Sequence, residues 1–254
     1  MTEPAFPDIP APSFYNRADG VRLAYRFTDG AGPLLVFLPG YMSDMEGGKA
    51  LSVFSYARAN GRACLLLDYS GCGSSEGDFN DGTLDIWRDD VLMLIDHVWP
   101  EGQVVPIGSS MGGWLALLAG LAVKDRLAGV VGIAAAPDFT EWGFSDAEKA
   151  VLHTEGRIVE PSEYGGDYVT TLGFWKSGEA NLLLESEIAL TCPVRFIHGQ
   201  ADDVVPWEIP LRAAAQLRSA DVQTLLIKDG DHRLSRDADI ALLLGLIDGL
   251  LEHT

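Results

Sequence analysis

Residues 106–114 read "PIGSSMGGW" and lie between an apolar run, "QVVPIGS" (103–109), and an alanine- and leucine-rich segment that begins near Met111. Small residues packed between two buried elements mark a sharp strand-to-helix turn. "GSSMG" fits G-x-S-x-G, with Ser110 at its centre and Ser109 at the first variable position. A nucleophile on such a turn occupies a strained backbone region, and side chains two residues away on either side would collide. Gly108 and Gly112 relieve that collision. Small residues also build plain turns, so the pentapeptide gains its meaning from the strand before it and the helix after it. In this reading Ser110 protrudes and Ser109 fits the crowded approach to it.

The same rhythm extends in both directions. "PLLVFLPG" (33–40), "ACLLLDYSG" (63–71), "AGVVGIAAA" (128–136), "PVRFIHG" (193–199) and "VQTLLIK" (222–228) are continuous or near-continuous apolar runs, as expected of strands in a parallel sheet. Helices are expected over 47–60, 83–99, 207–218 and 236–252, the second with Thr83 as its N-cap. "VRLAYRF" (21–27) alternates, which predicts a half-exposed strand with Arg22 and Arg26 on the open face. Strands alternating with helices mean βαβ units and a mostly parallel sheet flanked by helices. Pro4, Pro7, Pro10 and Pro12 mark an extended leader. The rhythm breaks at 137–190, a polar and aromatic stretch holding Trp142, Phe144, Tyr164, Tyr168, Phe174 and Trp175. Its length suits an insertion over one edge of the sheet, so the expectation is one domain over 1–254 with a cap at 137–190.

Charge and cysteine usage narrow the function classes. Eighteen Lys and Arg against thirty-seven Asp and Glu leave a formal charge of −19, which disfavours nucleic acid and anionic membrane surfaces as partners. Three widely spaced cysteines, Cys64, Cys72 and Cys192, form neither a disulfide framework nor a metal-ligand pair. The N-terminal stretch has no basic region followed by an apolar one and is acidic and poor in Arg, so a cytoplasmic location is expected. No segment is long and apolar enough to predict a membrane span.

In an open parallel sheet the carboxyl ends of the strands form the natural site. Those ends carry Pro39-Gly40-Tyr41, Asp68-Tyr69-Ser70-Gly71, Ser110, Asp138, Asp202-Asp203 and His232. Serine needs a base to take its proton, and the base needs a carboxylate to fix its tautomer. Of five histidines, His97 lies in a helix, His153 in the cap and His253 at the terminus, while His198 ends a strand and reads as a packing residue. His232, in "KDGDHRLS" after the last strand, is the candidate base. Asp202 in "HGQADDVVP" is the candidate acid, with Asp203 a solvated neighbour and Asp138 the rival. The order Ser, Asp, His is one that such triads use. Backbone N–H groups of Met111 and Tyr41 are the candidate oxyanion donors.

These residues resemble the α/β-hydrolase superfamily over essentially the whole chain. "DYSGCGSS" (68–75) resembles its turn after the fourth strand, "HGQADDVVP" its acid loop and "GDHRLS" its histidine loop. Within the superfamily, "LPGYMSDMEGGKA", "DYSGCGSS", "GSSMGGWL", "DDVVPW" and "DHRL" are similar to the group of mitochondrial palmitoyl-protein thioesterases that also cleave acyl-glucuronides. That resemblance implies Ser110 as nucleophile, Asp202 as acid and His232 as base. The missing presequence features suit a bacterial-type relative.

The expected activity is a serine hydrolase of carboxylic esters or thioesters acting without metal or organic cofactor, on a small-molecule acyl substrate or an acylated protein. Two alternatives stand beside it: C–C bond hydrolysis or perhydrolysis by the same residues, and a catalytically idle ligand-binding scaffold. "SGCGSS" lacks the third glycine and the lysine of a phosphate loop and reads as a tight turn. Trp114, Trp142, Trp175 and Trp207 either line an acyl pocket or fill the core.

Overall fold

The computed structural model describes residues 9–161 and 167–252, so that Pro4, Pro7, Tyr164 and His253 lie outside the described residues. Ten strands and eight α-helices follow one another along them. The strands β1 (Ser13–Asn16), β2 (Arg22–Thr28), β3 (Ala31–Leu38), β4 (Arg62–Leu67), β5 (Val104–Ser109), β6 (Val130–Ile133), β9 (Val194–Gly199) and β10 (Val222–Ile227) form one sheet in the order β1-β2-β4-β3-β5-β6-β9-β10. From β4 to β10 every pairing is parallel, and β1 and β2 add an antiparallel edge. This is the mostly parallel sheet that the strand–helix rhythm predicts, in the α/β-hydrolase fold that the resemblance implies.

Helices cover both faces because β3, β4, β5, β6 and β9 are apolar on both sides. On one face α1 (Gly48–Ala59) and α8 (Asp237–Leu251) pack through Val53, Phe54, Leu243 and Ile247 against Leu35, Leu66, Val105 and Val131. On the other lie α2 (Leu84–Val98), α3 (Met111–Ala122) and α7 (Ile209–Gln216), packed through Trp87, Leu94, Trp114, Leu115 and Ala213 against Val36, Leu65, Val104 and Val130. Thr83 caps α2 by accepting from the Ile86 N–H, as its place before the amphipathic run predicts. Helix ends differ from the sequence expectation by one or two residues. None is long and apolar enough to cross a membrane among the described residues.

Two readings change. Arg26 is buried, because β2 pairs with strands on both sides and the guanidinium reaches the Pro10 carbonyl (2.6 Å) and Glu46 (2.6 Å). Part of the expected leader is strand β1, which pairs with β2. Between β6 and β9 the chain forms α4 (Phe139–Trp142), α5 (Asp146–Glu155), a hairpin of β7 (Arg157–Pro161) and β8 (Asp167–Thr171), and α6 (Leu172–Glu179). The hairpin is largely exposed, so no apolar run announced it. Asp138 starts this segment in the left-handed region, with φ 60°, and its buried carboxylate accepts the N–H groups of Leu183 (2.8 Å) and Leu184 (2.7 Å).

The turn between β5 and α3 is a steric lock. A Cβ on Gly108 would lie 1.9 Å from the Gly112 carbonyl oxygen, and one on Gly112 would lie 2.1 Å from the Leu38 carbonyl oxygen. Gly108→Ala is therefore expected to lower stability by about 3 kcal/mol or more, measured by urea unfolding. Asp138→Ala leaves two backbone N–H groups without their acceptor, and the same measurement should show a loss of about 2–4 kcal/mol. A wild-type midpoint for either variant would contradict the packing described.

Candidate active site

Four loops leave the carboxyl edge of the parallel strands side by side. The first follows β3 and carries Pro39-Gly40-Tyr41; the second is the turn holding Ser110, between β5 and α3. The third follows β9 and carries Asp202, and the fourth follows β10 and carries His232. Close backbone approach brings the last two together, since a Cβ on Gly199 would meet the Gly230 carbonyl oxygen at 2.1 Å.

Ser110 has φ 55° and ψ −122°, a conformation L-residues rarely adopt, and it costs about 1–3 kcal/mol. The surrounding hydrogen bonds hold it there. Its N–H donates to the Ile133 carbonyl (2.9 Å), and its carbonyl accepts from Gly113 (2.9 Å) and Ala136 (3.0 Å). The result aims the side chain away from the turn. Ser110 Oγ lies 3.2 Å from His232 Nε2, and His232 Nδ1 lies 2.8 Å from Asp202 Oδ2. Ser109, by contrast, is a buried strand residue.

The carboxylate sets the direction of these bonds. Burial acts to raise the Asp202 carboxyl, but donors from His198 and His232, the Val205 N–H and the charge of His232 outweigh it. Asp202 is held well below the usual carboxylate range and is ionised at neutral pH. An ionised carboxylate only accepts, so His232 donates from Nδ1, and its Nε2 accepts the Ser110 hydroxyl proton. Asp202 Oδ1 accepts the N–H groups of Val204 (2.9 Å) and Val205 (2.8 Å), which fix the carboxylate plane. Asp203 beside it is exposed. The rival carboxylate, Asp138, is committed to Leu183 and Leu184.

Met111 opens α3, where first-turn N–H groups have no intrahelical acceptor. The loop with Tyr41 lies against the same point, because a Cβ on Gly40 would come 3.4 Å from Ser110 Cβ. The Tyr41 ring faces Phe79, Trp87, Phe139, Tyr168 and Phe174 at centroid distances of 4.8–6.1 Å. Its hydroxyl donates to the Val169 carbonyl on β8 (2.5 Å), so the loop after β3 is bonded to the β7–β8 hairpin. Trp114 is buried and donates to the Asn181 carbonyl, while Trp142 and Trp175 donate to the Pro137 and Thr140 carbonyls. These three indoles thus tie the 137–190 segment to itself and to α3. Burial pushes the Cys72 thiol up to about 12, so it stays protonated at neutral pH.

Sequence reasoning passed over two contacts. Fully buried His198 has Nε2 3.2 Å from Asp202 Oδ2, and Lys49 donates to the Arg233 carbonyl next to His232. The four-residue spacing from His198 to Asp202 is compatible with the first without fixing it; for the second there was no signal, because α1 is remote in sequence.

The chain is similar to known proteins over most of its length. The mitochondrial palmitoyl-protein thioesterase ABHD10 of Homo sapiens is 40% identical over 245 residues, covering 94% of this chain and 80% of the human protein. The solved structure of alpha/beta hydrolase domain-containing protein 10 from mouse superposes with a TM-score of 0.89 at 39% identity, covering 96% of this chain and 99% of that one. Est1E from Butyrivibrio proteoclasticus, at 19% identity, shares the fold, with a TM-score of 0.81 over 95% of this chain and 99% of its own. With the profile of the alpha/beta hydrolase family matching residues 35–242, over a sheet and loop arrangement of that kind, the chain belongs to the alpha/beta hydrolase family.

Proposed function

We propose that the protein is a serine hydrolase that cleaves carboxylic esters or thioesters through an acyl-enzyme on Ser110. The observation that carries this reading is the unbroken row Asp202–His232–Ser110, with spacings of 2.8 and 3.2 Å, on a strained strand-to-helix turn. His232 takes the Ser110 proton as Oγ attacks the acyl carbonyl carbon. The Tyr41 and Met111 N–H groups hold the oxyanion, and Asp202 stabilises the imidazolium. Collapse of the tetrahedral intermediate expels the alcohol or thiol, which receives the proton from His232. Water then attacks the acyl-enzyme with His232 again as base, and Ser110 regains its proton. No step requires a metal or organic cofactor. Similarity to the human and mouse proteins supports acyl thioesters, on a protein or a small carrier, as the first substrate class to test.

The segment 137–190 serves in this reading as a cap over the site. Support comes from Asp138 at its neck and from the Tyr41 bond to Val169, which joins the cap to the loop holding an oxyanion donor. The partly exposed rings of Tyr41, Phe79 and Phe139 serve in this reading as an apolar wall for the acyl chain.

Ser110→Ala is expected to abolish labelling by a fluorophosphonate probe and burst acylation by an activated ester, lowering kcat/KM by roughly 10⁵-fold or more with the fold intact. An unchanged burst would overturn the assignment. Tyr41→Phe removes one hydroxyl and keeps the ring, so KM for a hexadecanoyl thioester should rise roughly threefold to tenfold while kcat on an acetyl ester stays near wild type. Equal effects on both substrates would separate Tyr41 from the cap.

A further inference from the structure

Strand β9 ends in His198-Gly199, and the His198 side chain is wholly buried. Its Nε2 lies 3.1 Å from the Val205 carbonyl oxygen and 3.2 Å from Asp202 Oδ2. Its Nδ1 is also buried and meets no partner among the described residues. Both groups facing Nε2 only accept, so Nε2 carries the hydrogen. A second hydrogen on Nδ1 would be a buried donor with no acceptor among the described residues. Leu or Phe would fill this space without an orphaned nitrogen. The ring's one N–H faces two acceptors on the returning loop, the Val205 carbonyl and the Asp202 carboxylate.

Asp202 is thereby fully engaged. Oδ1 receives Val204 and Val205 N–H, and two histidines converge on Oδ2. We propose that His198 is a positioning residue for Asp202, an Nε2–H donor that fixes Oδ2 toward His232 and draws off part of the charge Oδ2 offers it. The inference rests on the triad reading above. Removing the donor concentrates charge on Oδ2, which stabilises the His232 imidazolium and makes the base harder to free of its proton. It also loosens the carboxylate plane.

The titratable groups that face Asp202 are His198 from β9 and His232 from the loop after β10. Beyond His232, Lys49 of α1 donates to the Arg233 carbonyl, and Arg233, Asp231 and Asp239 act on that ammonium. None of these changes in a His198 variant, so a shift in the pH profile reports the Oδ2 contact.

The test compares His198→Leu with His198→Gln, whose amide N–H can reach the same acceptors. The readout is kcat/KM for an activated ester from about pH 5 to about 9. His198→Leu should move the acid limb upward by about half a unit or more and lower kcat roughly tenfold to a hundredfold with KM little changed. His198→Gln should restore the limb and most of kcat. An unmoved limb in folded His198→Leu, or no rescue by glutamine, overturns the proposal. Nitrogen-15 NMR of the wild-type histidines gives a second test that needs no variant. His198 should carry its hydrogen on Nε2, and an Nδ1–H tautomer overturns the proposal. Fluorophosphonate labelling of Ser110 separates the two levels. Unlabelled wild-type Ser110 sinks the triad reading, whereas labelled Ser110 with an unmoved limb sinks the role of His198 alone.

Discussion

The contact between Gly108 and Gly112 is the constraint on which the rest depends. With no Cβ on either, the last turn of β5 and the first turn of α3 approach until backbone touches backbone. Gly112 also lies against the Leu38 and Pro39 carbonyls, so the loop after β3 is drawn to the same point. Ser110 is then the only residue of the turn with room to protrude, and its positive φ follows from that crowding. Hydrogen bonds to Ile133 and Ala136 lock the turn onto β6. Three neighbouring strands thus converge on one side chain.

Strain is collected at this edge. The five non-glycine residues with positive φ among those described are Met42, Ser110, Ala134, Asp138 and Leu234. They follow β3, β5, β6, β6 and β10 respectively, all at the carboxyl ends. Each costs about 1–3 kcal/mol at most, and the two apolar layers beneath offset it. A rigid, doubly covered sheet can hold such loops because its strands are buried on both faces and admit no register slip. Binding geometry at the rim is in this sense bought with packing below.

How much of this was legible in the sequence depends on whether a residue's role is local. Ser110, Asp202 and His232 could be picked out because each follows an apolar strand run, and parallel topology sends all such ends to one edge. Thr83 as a cap was readable from its immediate neighbours. Arg26 was not, because alternation in β2 says nothing of the Pro10 and Glu46 groups that cover its charged side. The β7–β8 hairpin escaped for the opposite reason: it is solvated on most of its surface, so it lacks the apolar period that betrays strands. His198 read as packing, and it is packed. Its proximity to Asp202 depends on the loop doubling back over the end of β9, which spacing alone does not fix.

The neck at Asp138 has a consequence for how such a chain diversifies. One carboxylate holds both the departure of the segment at residue 138 and its return at Leu183 and Leu184. The chain thus leaves and rejoins the sheet at one carboxylate, and β6 pairs directly with β9. Within the segment the exposed faces of the β7–β8 hairpin are free to vary, whereas Phe174 packs on Tyr41 and Ser177 donates to Asp85 of α2. Selection therefore acts unevenly along this stretch, loosely on the exposed hairpin and tightly where α6 meets α2.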